Sequence, residues 1–247
     1  MKNLFLFLFL LVVFTSKAQD NRVSGLNSRQ FTKYWKVESE SPDYKVTFQG
    51  DTAEIVSPKG LTLWRKEKMS GKVTIEYDAC VVVESDGDRL SDLNCFWMAS
   101  DPQYPDNLWK REKWRSGIFL NCYSLQLYYL GYGGNHNSTT RFRRYDGDES
   151  GITNPKARPA ILKEYTDAGH LLKPNHWYHI KITNENNRVS YYIDGERLVD
   201  FRDAEPLREG WFGFRTTLSR TRITNFSYEC SSQEALSLIH ISEPTRP

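Results

Sequence analysis

The 247-residue sequence predicts an all-β fold, a two-sheet antiparallel β-sandwich, on three observations. Short runs of alternating apolar and polar residues recur along the chain, and Gly, Asn, Asp and Pro punctuate them as turns do. No run carries the 3.6-residue period of a long helix. The length is near the upper size for one sandwich and small for two full domains.

The two ends stand outside this pattern. Lys2, an apolar run over residues 4–14 and the small residues around Ser16-Lys17-Ala18 read as a secretory signal over 1–18, too short for a membrane span. No Cys follows the run, which argues against a lipid anchor. The mature domain is expected over 19–234, in the periplasm or outside the cell. Residues 235–247 continue no strand pattern and resemble translated adapter sequence, so they are set aside as a non-native tail.

Between these limits the pattern gives strands at 31–38, 44–48, 53–57, 61–65, 72–83, 93–99, 117–122, 124–130 and 139–145. Further strands follow at 176–183, 188–193, 197–201, 210–216 and 222–228. The stretch 146–174 is rich in Gly, Pro and charge. It is the one long irregular segment, and such segments in compact domains tend to be functional. Tyr178, Ile180 and Ile182 share one strand face, and Phe212 and Phe214 another, so all five are expected in the core.

Residues 19–234 hold thirty Lys and Arg against thirty Asp and Glu. A neutral domain has no long-range field to gather nucleic acid or a membrane surface, so neither is expected as a partner. The four cysteines allow three disulfide pairings, none of which the spacing selects, and buried free thiols on strands are the favoured expectation. No C-x-x-C is present, and no zinc site is expected.

The last third carries a recognisable order: His176-Trp-Tyr-x-Ile-Lys-Ile182, then Val189-x-Tyr-Tyr-Ile-Asp-Gly195, Leu198-Val-Asp-Phe201, Gly210-x-Phe-Gly-Phe-Arg215 and Ile223-x-Asn-Phe226. This order resembles the C-terminal half of concanavalin A-like lectin/glucanase jelly rolls. More narrowly, residues 31–228 are similar to secreted domains of unknown function from bacterial polysaccharide-utilisation clusters. The resemblance implies a jelly roll and a polysaccharide or oligosaccharide as ligand. It does not separate lectin, hydrolase and lyase, since one scaffold hosts all three. Retaining glucanases of this fold carry Glu-x-Asp-x-x-Glu on one strand. Glu76-Tyr-Asp78 begins that pattern, but Val81 ends it, which speaks against that hydrolase chemistry.

Residues 108–145 differ from the rest. They hold seven Lys and Arg against the single acid Glu112, together with nine aromatics. Aromatic faces stack on sugar rings, and Arg pairs bidentately with carboxylate or sulfate. A groove for an acidic glycan is therefore expected here. Strand parity puts Ser124, Gln126, Tyr128 and Tyr132 on one face, read as the open one, and Leu125, Leu127 and Tyr129 on the other. Arg141, Arg143 and Tyr145 share a face on the next strand. Between them the Gly-rich turn at 131–137 carries His136, either a catalytic base or a turn residue bonded to nearby backbone.

These residues suit a lyase acting on a uronic-acid-containing glycan. Elimination needs a neutraliser for the carboxylate, a base and an acid. Arg141, Arg143 and Asn94 suit the first role, His136 or Tyr128 the second, and Tyr132 or Tyr128 the third. Arg115, Gln126 and Tyr145 complete the expected binding set. The same residues would serve a non-catalytic carbohydrate-binding protein, and a hydrolase with carboxylates from separate strands is the third possibility. No cofactor is required. The acidic loop Glu84, Asp86, Asp88 and Asp92 offers oxygen ligands of the kind calcium takes, although its spacing matches no calcium loop and a solvated turn explains it as well. His170, His176 and His179 read as structural or solvated.

Overall fold

The computed structural model describes residues 22–231, so the expected signal segment and the expected tail lie outside the described residues. Fourteen strands form the fold: β1 Val23–Ser24, β2 Trp35–Ser39, β3 Lys45–Gln49, β4 Thr52–Arg65, β5 Met69–Ser70, β6 Lys72–Val81 and β7 Leu93–Ser100. The remainder are β8 Gln126–Gly133, β9 Thr139–Asp146, β10 Lys163–Tyr165, β11 Trp177–Glu185, β12 Arg188–Ile193, β13 Glu196–Arg202 and β14 Glu209–Ser231. Every pairing is antiparallel. Among the described residues no helix is long and apolar enough to cross a membrane.

Two long strands hold the layers together. β4 and β14 lie side by side along their length. On its other edge β14 pairs first with β7 and then, past a bulge between Thr217 and Ser219, with β6. Leu218 sits at that bulge with a left-handed φ of 49°. The front layer therefore runs β10-β9-β8-β7-β14-β4-β2, and the back layer β13-β12-β11-β6-β14-β4-β3. From the sequence each of these strands is expected as two, because Pro58-Lys59-Gly60 and the largely polar stretch 217–221 look like turns. They are bends inside continuous strands.

The main core fills the space between the layers. Tyr178, Ile180, Ile182, Phe212 and Phe214 are all buried in it, as expected. The rings of Phe212 and Phe214 meet Tyr77 of β6, at centroid distances of 5.9 and 4.8 Å, so they face β11's layer across the sandwich. Trp97 of the front layer meets Tyr191 of the back layer at 6.1 Å in the same way.

A second core lies on the outer face of the front layer. Residues 101–125 turn back over it in short helical segments, Leu108–Arg111, Glu112–Arg115 and Leu120–Ser124. Leu108, Cys122, Leu125 and Leu127 pack there with Phe96, Tyr145 and Trp211. The expected strand at 117–122 is replaced by a turn and the last of these segments, because Ser116 and Gly117 take left-handed φ values of 45° and 71°. Residues 31–34 form a helical turn ahead of β2, and β10 adds a short edge strand inside the irregular segment.

All four cysteines are free thiols. Burial pushes Cys95 up to about 12 and Cys122 up to about 11, which leaves neither as a thiolate nucleophile at neutral pH.

Candidate functional site

The second core covers only part of the front layer's outer face. The uncovered part is a cavity of about 450 Å³. Register determines what lines it. Glu164, Arg141, Gly131, Asn94 and Arg215 form one row across β10, β9, β8, β7 and β14, and Arg143 and Tyr129 lie side by side in the row next to it.

Gly131 sits where it does for a steric reason. It is two residues after Tyr129 on the same strand face, and a Cβ there would collide with the Tyr129 hydroxyl. The bare backbone lets the Tyr129 ring lie over β8 beside Asn94. Tyr145 and Phe119 pack against that ring, at 5.8 and 5.5 Å. Burial and the nearby Asp92 carboxylate push the Tyr129 phenol well above its ordinary range, so it is a neutral hydroxyl at physiological pH.

Five arginines line the cavity, and they are not equivalent: Arg89 is paired with Asp92 at 3.1 Å. Arg141 is paired with Glu164. Arg215 is buried, donates to the Gly117 carbonyl and lies 3.9 Å from Glu40. Arg143 donates to the Pro159 carbonyl and Arg158 to the Gly151 carbonyl. Neither of these two has a carboxylate within ion-pair distance among the described residues. Asn94, only 6% exposed, donates to Asp92 Oδ1 at 3.3 Å, while its own Oδ1 has no partner. An unpaired buried amide oxygen thus lines the same cavity as two guanidinium groups that lack a carboxylate partner.

His136 lines the cavity from the β8–β9 turn. Asn135, His136 and Asn137 all hold left-handed φ, at 52°, 59° and 57°. Such a run is costly for non-glycine residues and persists only where surroundings fix it. Here the Asn137 amide clamps the Leu172 backbone, donating to its carbonyl at 2.9 Å and accepting from its N–H at 2.8 Å. Thr140 also donates to the His170 carbonyl at 2.6 Å. The turn is thus tied to the end of the irregular segment, which also supplies Arg158.

The expected site residues therefore divide. Asn94, His136, Arg141 and Arg143 share this cavity. Tyr128 and Tyr132 do not: they point into the main core, opposite to the face read as open. Tyr128 donates to Asp203 at 2.6 Å and accepts from the Leu207 N–H at 3.1 Å, and Tyr132 donates to the Leu171 carbonyl at 3.2 Å. Gln126 has their parity and stays outside the cavity. Tyr145 is on the correct face but lies wholly beneath the second core, and Arg115 is fully buried against Glu38. The reading missed Tyr129, Tyr123, Arg158, Arg215 and the Arg89–Asp92 pair. Two signals were present in the sequence: a glycine two positions after Tyr129, and an arginine in the long irregular segment.

The acidic loop is engaged elsewhere. Glu84 pairs with Arg220 and Arg222, Asp88 accepts from the Glu84 and Ser85 N–H groups, and Asp92 pairs with Arg89 at 3.1 Å. Among the described residues no group of three or more His, Cys, Asp and Glu is placed to hold a metal ion.

Comparison with known proteins agrees with the layered architecture. A Bacillus subtilis protein of unknown function with a galectin-like fold superposes with a TM-score of 0.63 at 16% identity, covering 80% of this chain and 89% of that one. The exoplasmic/lumenal domain of VIP36, solved in a Ca2+/Man3GlcNAc-bound form, gives 0.56 at 8% identity over 90% of this chain and 93% of its own. The carbohydrate-binding module CBM66 from Bacillus subtilis gives 0.52 at 16% identity, over 79% and 94%. No curated protein matches the sequence. The fold is a concanavalin A-like jelly roll. Residues 55–226 match a described family across most of the sandwich, and the chain belongs to it: the domain of unknown function DUF6250.

Proposed function

We propose that this chain is an exported polysaccharide lyase acting on an acidic, uronic-acid-containing glycan, with the front-layer cavity as its site. The observation that carries the reading is the meeting of Arg143 and Arg158, both without a carboxylate partner, with Asn94, Tyr129 and His136 in one cavity. Two guanidinium groups without a carboxylate partner suit the carboxylate of a uronide. The Asn94 amide, which gives one N–H to Asp92, adds its second N–H as a donor to the same oxygens as negative charge builds there. The His136 imidazole takes the proton next to the carboxylate. A double bond forms as the glycosidic C–O bond breaks, and the Tyr129 hydroxyl gives its proton to the departing oxygen. Tyr129 thus takes the acid role that the sequence suggested for Tyr128 or Tyr132. The proton gained by His136 returns to Tyr129 after turnover, so the step balances without a co-reactant.

A binding-only reading has its own support in the likeness of fold to CBM66 and to sugar-bound VIP36. One experiment separates the readings. The mature protein is incubated with alginate, polygalacturonate, ulvan and neutral plant glycans, and near-ultraviolet absorbance and reducing ends are followed. Absorbance rising with reducing ends on an acidic glycan is the expected result. Reducing ends without absorbance would mean hydrolysis. Retention on an acidic glycan without product would mean binding alone. Indifference to every acidic glycan would remove the cavity from consideration.

A further inference from the structure

The back layer carries a second site on its outer face, on the opposite side of the sandwich from the cavity. Trp177, Cys80, Arg222, Glu54 and Thr47 form one continuous row across β11, β6, β14, β4 and β3. Trp177 heads this row with 42% of its surface exposed. A lone exposed aromatic is ordinary. This one borders a depression of about 500 Å³ whose other walls are Phe48, Gln49, Arg220 and Arg222.

The polar wall is fixed and charge-neutral. Arg220 reaches Glu54 at 2.9 Å and Glu84 at 2.6 Å, and Arg222 reaches the same two carboxylates at 2.7 and 3.4 Å. Two cations and two anions form a closed square, each member partly exposed. The square has no net charge to offer an anion, in contrast to Arg143 and Arg158 of the front cavity, which lack a carboxylate partner. What it offers is N–H donors and carboxylate acceptors beside an aromatic face. Hydroxyl groups of an uncharged sugar use both, while the flat apolar face of its ring stacks on indole.

We propose that this depression is a second carbohydrate site, taking neutral polysaccharide through stacking on Trp177 and hydrogen bonds to Arg220, Arg222 and Glu54. The inference does not depend on the lyase reading, since neutral glycans carry no carboxylate for the front cavity. The test is affinity electrophoresis of the mature protein in gels containing barley β-glucan, glucomannan or galactan. Retardation by at least one of them is expected. Trp177→Ala should weaken it at least about tenfold, the loss of one stacking contact, while Trp177→Phe keeps part of it. Arg143→Ala, in the front cavity, should leave the retardation intact, and unchanged melting temperatures confirm folding. No retardation in any gel would overturn the proposal. So would retardation that survives Trp177→Ala or disappears with Arg143→Ala, which would locate neutral-glycan binding elsewhere.

Discussion

Replacing Arg115 by methionine is expected to destabilise the fold by about 3–5 kcal/mol, because it leaves a buried carboxylate without its charge partner. Arg115 is fully buried and Glu38 is 4% exposed. Its guanidinium reaches the two Glu38 oxygens at 2.5 and 3.2 Å and the Leu108 carbonyl at 2.6 Å. Asp101 lies 3.8 Å away. The pair pins the covering segment 101–125 to β2 at the far edge of the front layer. Burial already pushes the Glu38 carboxyl above its ordinary range, with Arg115 pulling against it, so removing Arg115 leaves Glu38 to protonate or unfold. Urea denaturation at neutral pH measures the loss. Adding Glu38→Leu to Arg115→Met should recover much of it, since an apolar pair carries no stranded charge. A loss below about 1 kcal/mol in the single variant, the range of exposed pairs, would show that the pair is solvated and the segment loose.

The second large effect separates neighbouring tyrosines. Tyr129→Phe is expected to lower turnover on the acidic glycan by ~10²–10⁴, with little change in binding, because it removes the proton donor. Tyr128→Phe should leave turnover per folded molecule near the parent value. Its cost should fall on stability, since Tyr128 bridges Asp203 and the Leu207 backbone. Steady-state kinetics with thermal unfolding on both variants reads the two effects separately. Equal turnover in Tyr129→Phe and the parent would exclude Tyr129 as the acid. A catalytic loss in Tyr128→Phe without a stability loss would mean that β8 faces the other way.

The reversal between these tyrosines shows what the sequence could convey. Period-two alternation works where one face meets the core and the other meets water. β11 obeys this, and Tyr178, Ile180 and Ile182 were assigned to the core correctly. β8 has a core on both faces, so nearly every residue in it is buried and the alternation carries no contrast. The choice then fell on Ser124 and Gln126. Ser124 ends the preceding helical segment and has no strand parity at all, and Gln126 sits at the strand's first position. On β9 the arginines were placed together correctly, because Phe142 between them kept the contrast. Arg158 and Arg215 reach the cavity from segments distant in sequence, and only the folded layers bring them there.

The sharing of β14 between the layers has a consequence for how the chain is made. Among the described residues the last strand is also the central one: β4, β6 and β7 have β14 as a neighbour, and β1 and β5 pair with nothing else. While residues 209–231 are still to be synthesised, β7 has no partner on its β4 side and β6 none opposite β11. Neither layer is continuous, and the main core has no way to close. Assembly must wait for the last strand and then join positions far apart along the chain, a topology that folds slowly. Until those residues have been made, the sandwich stays an open thread.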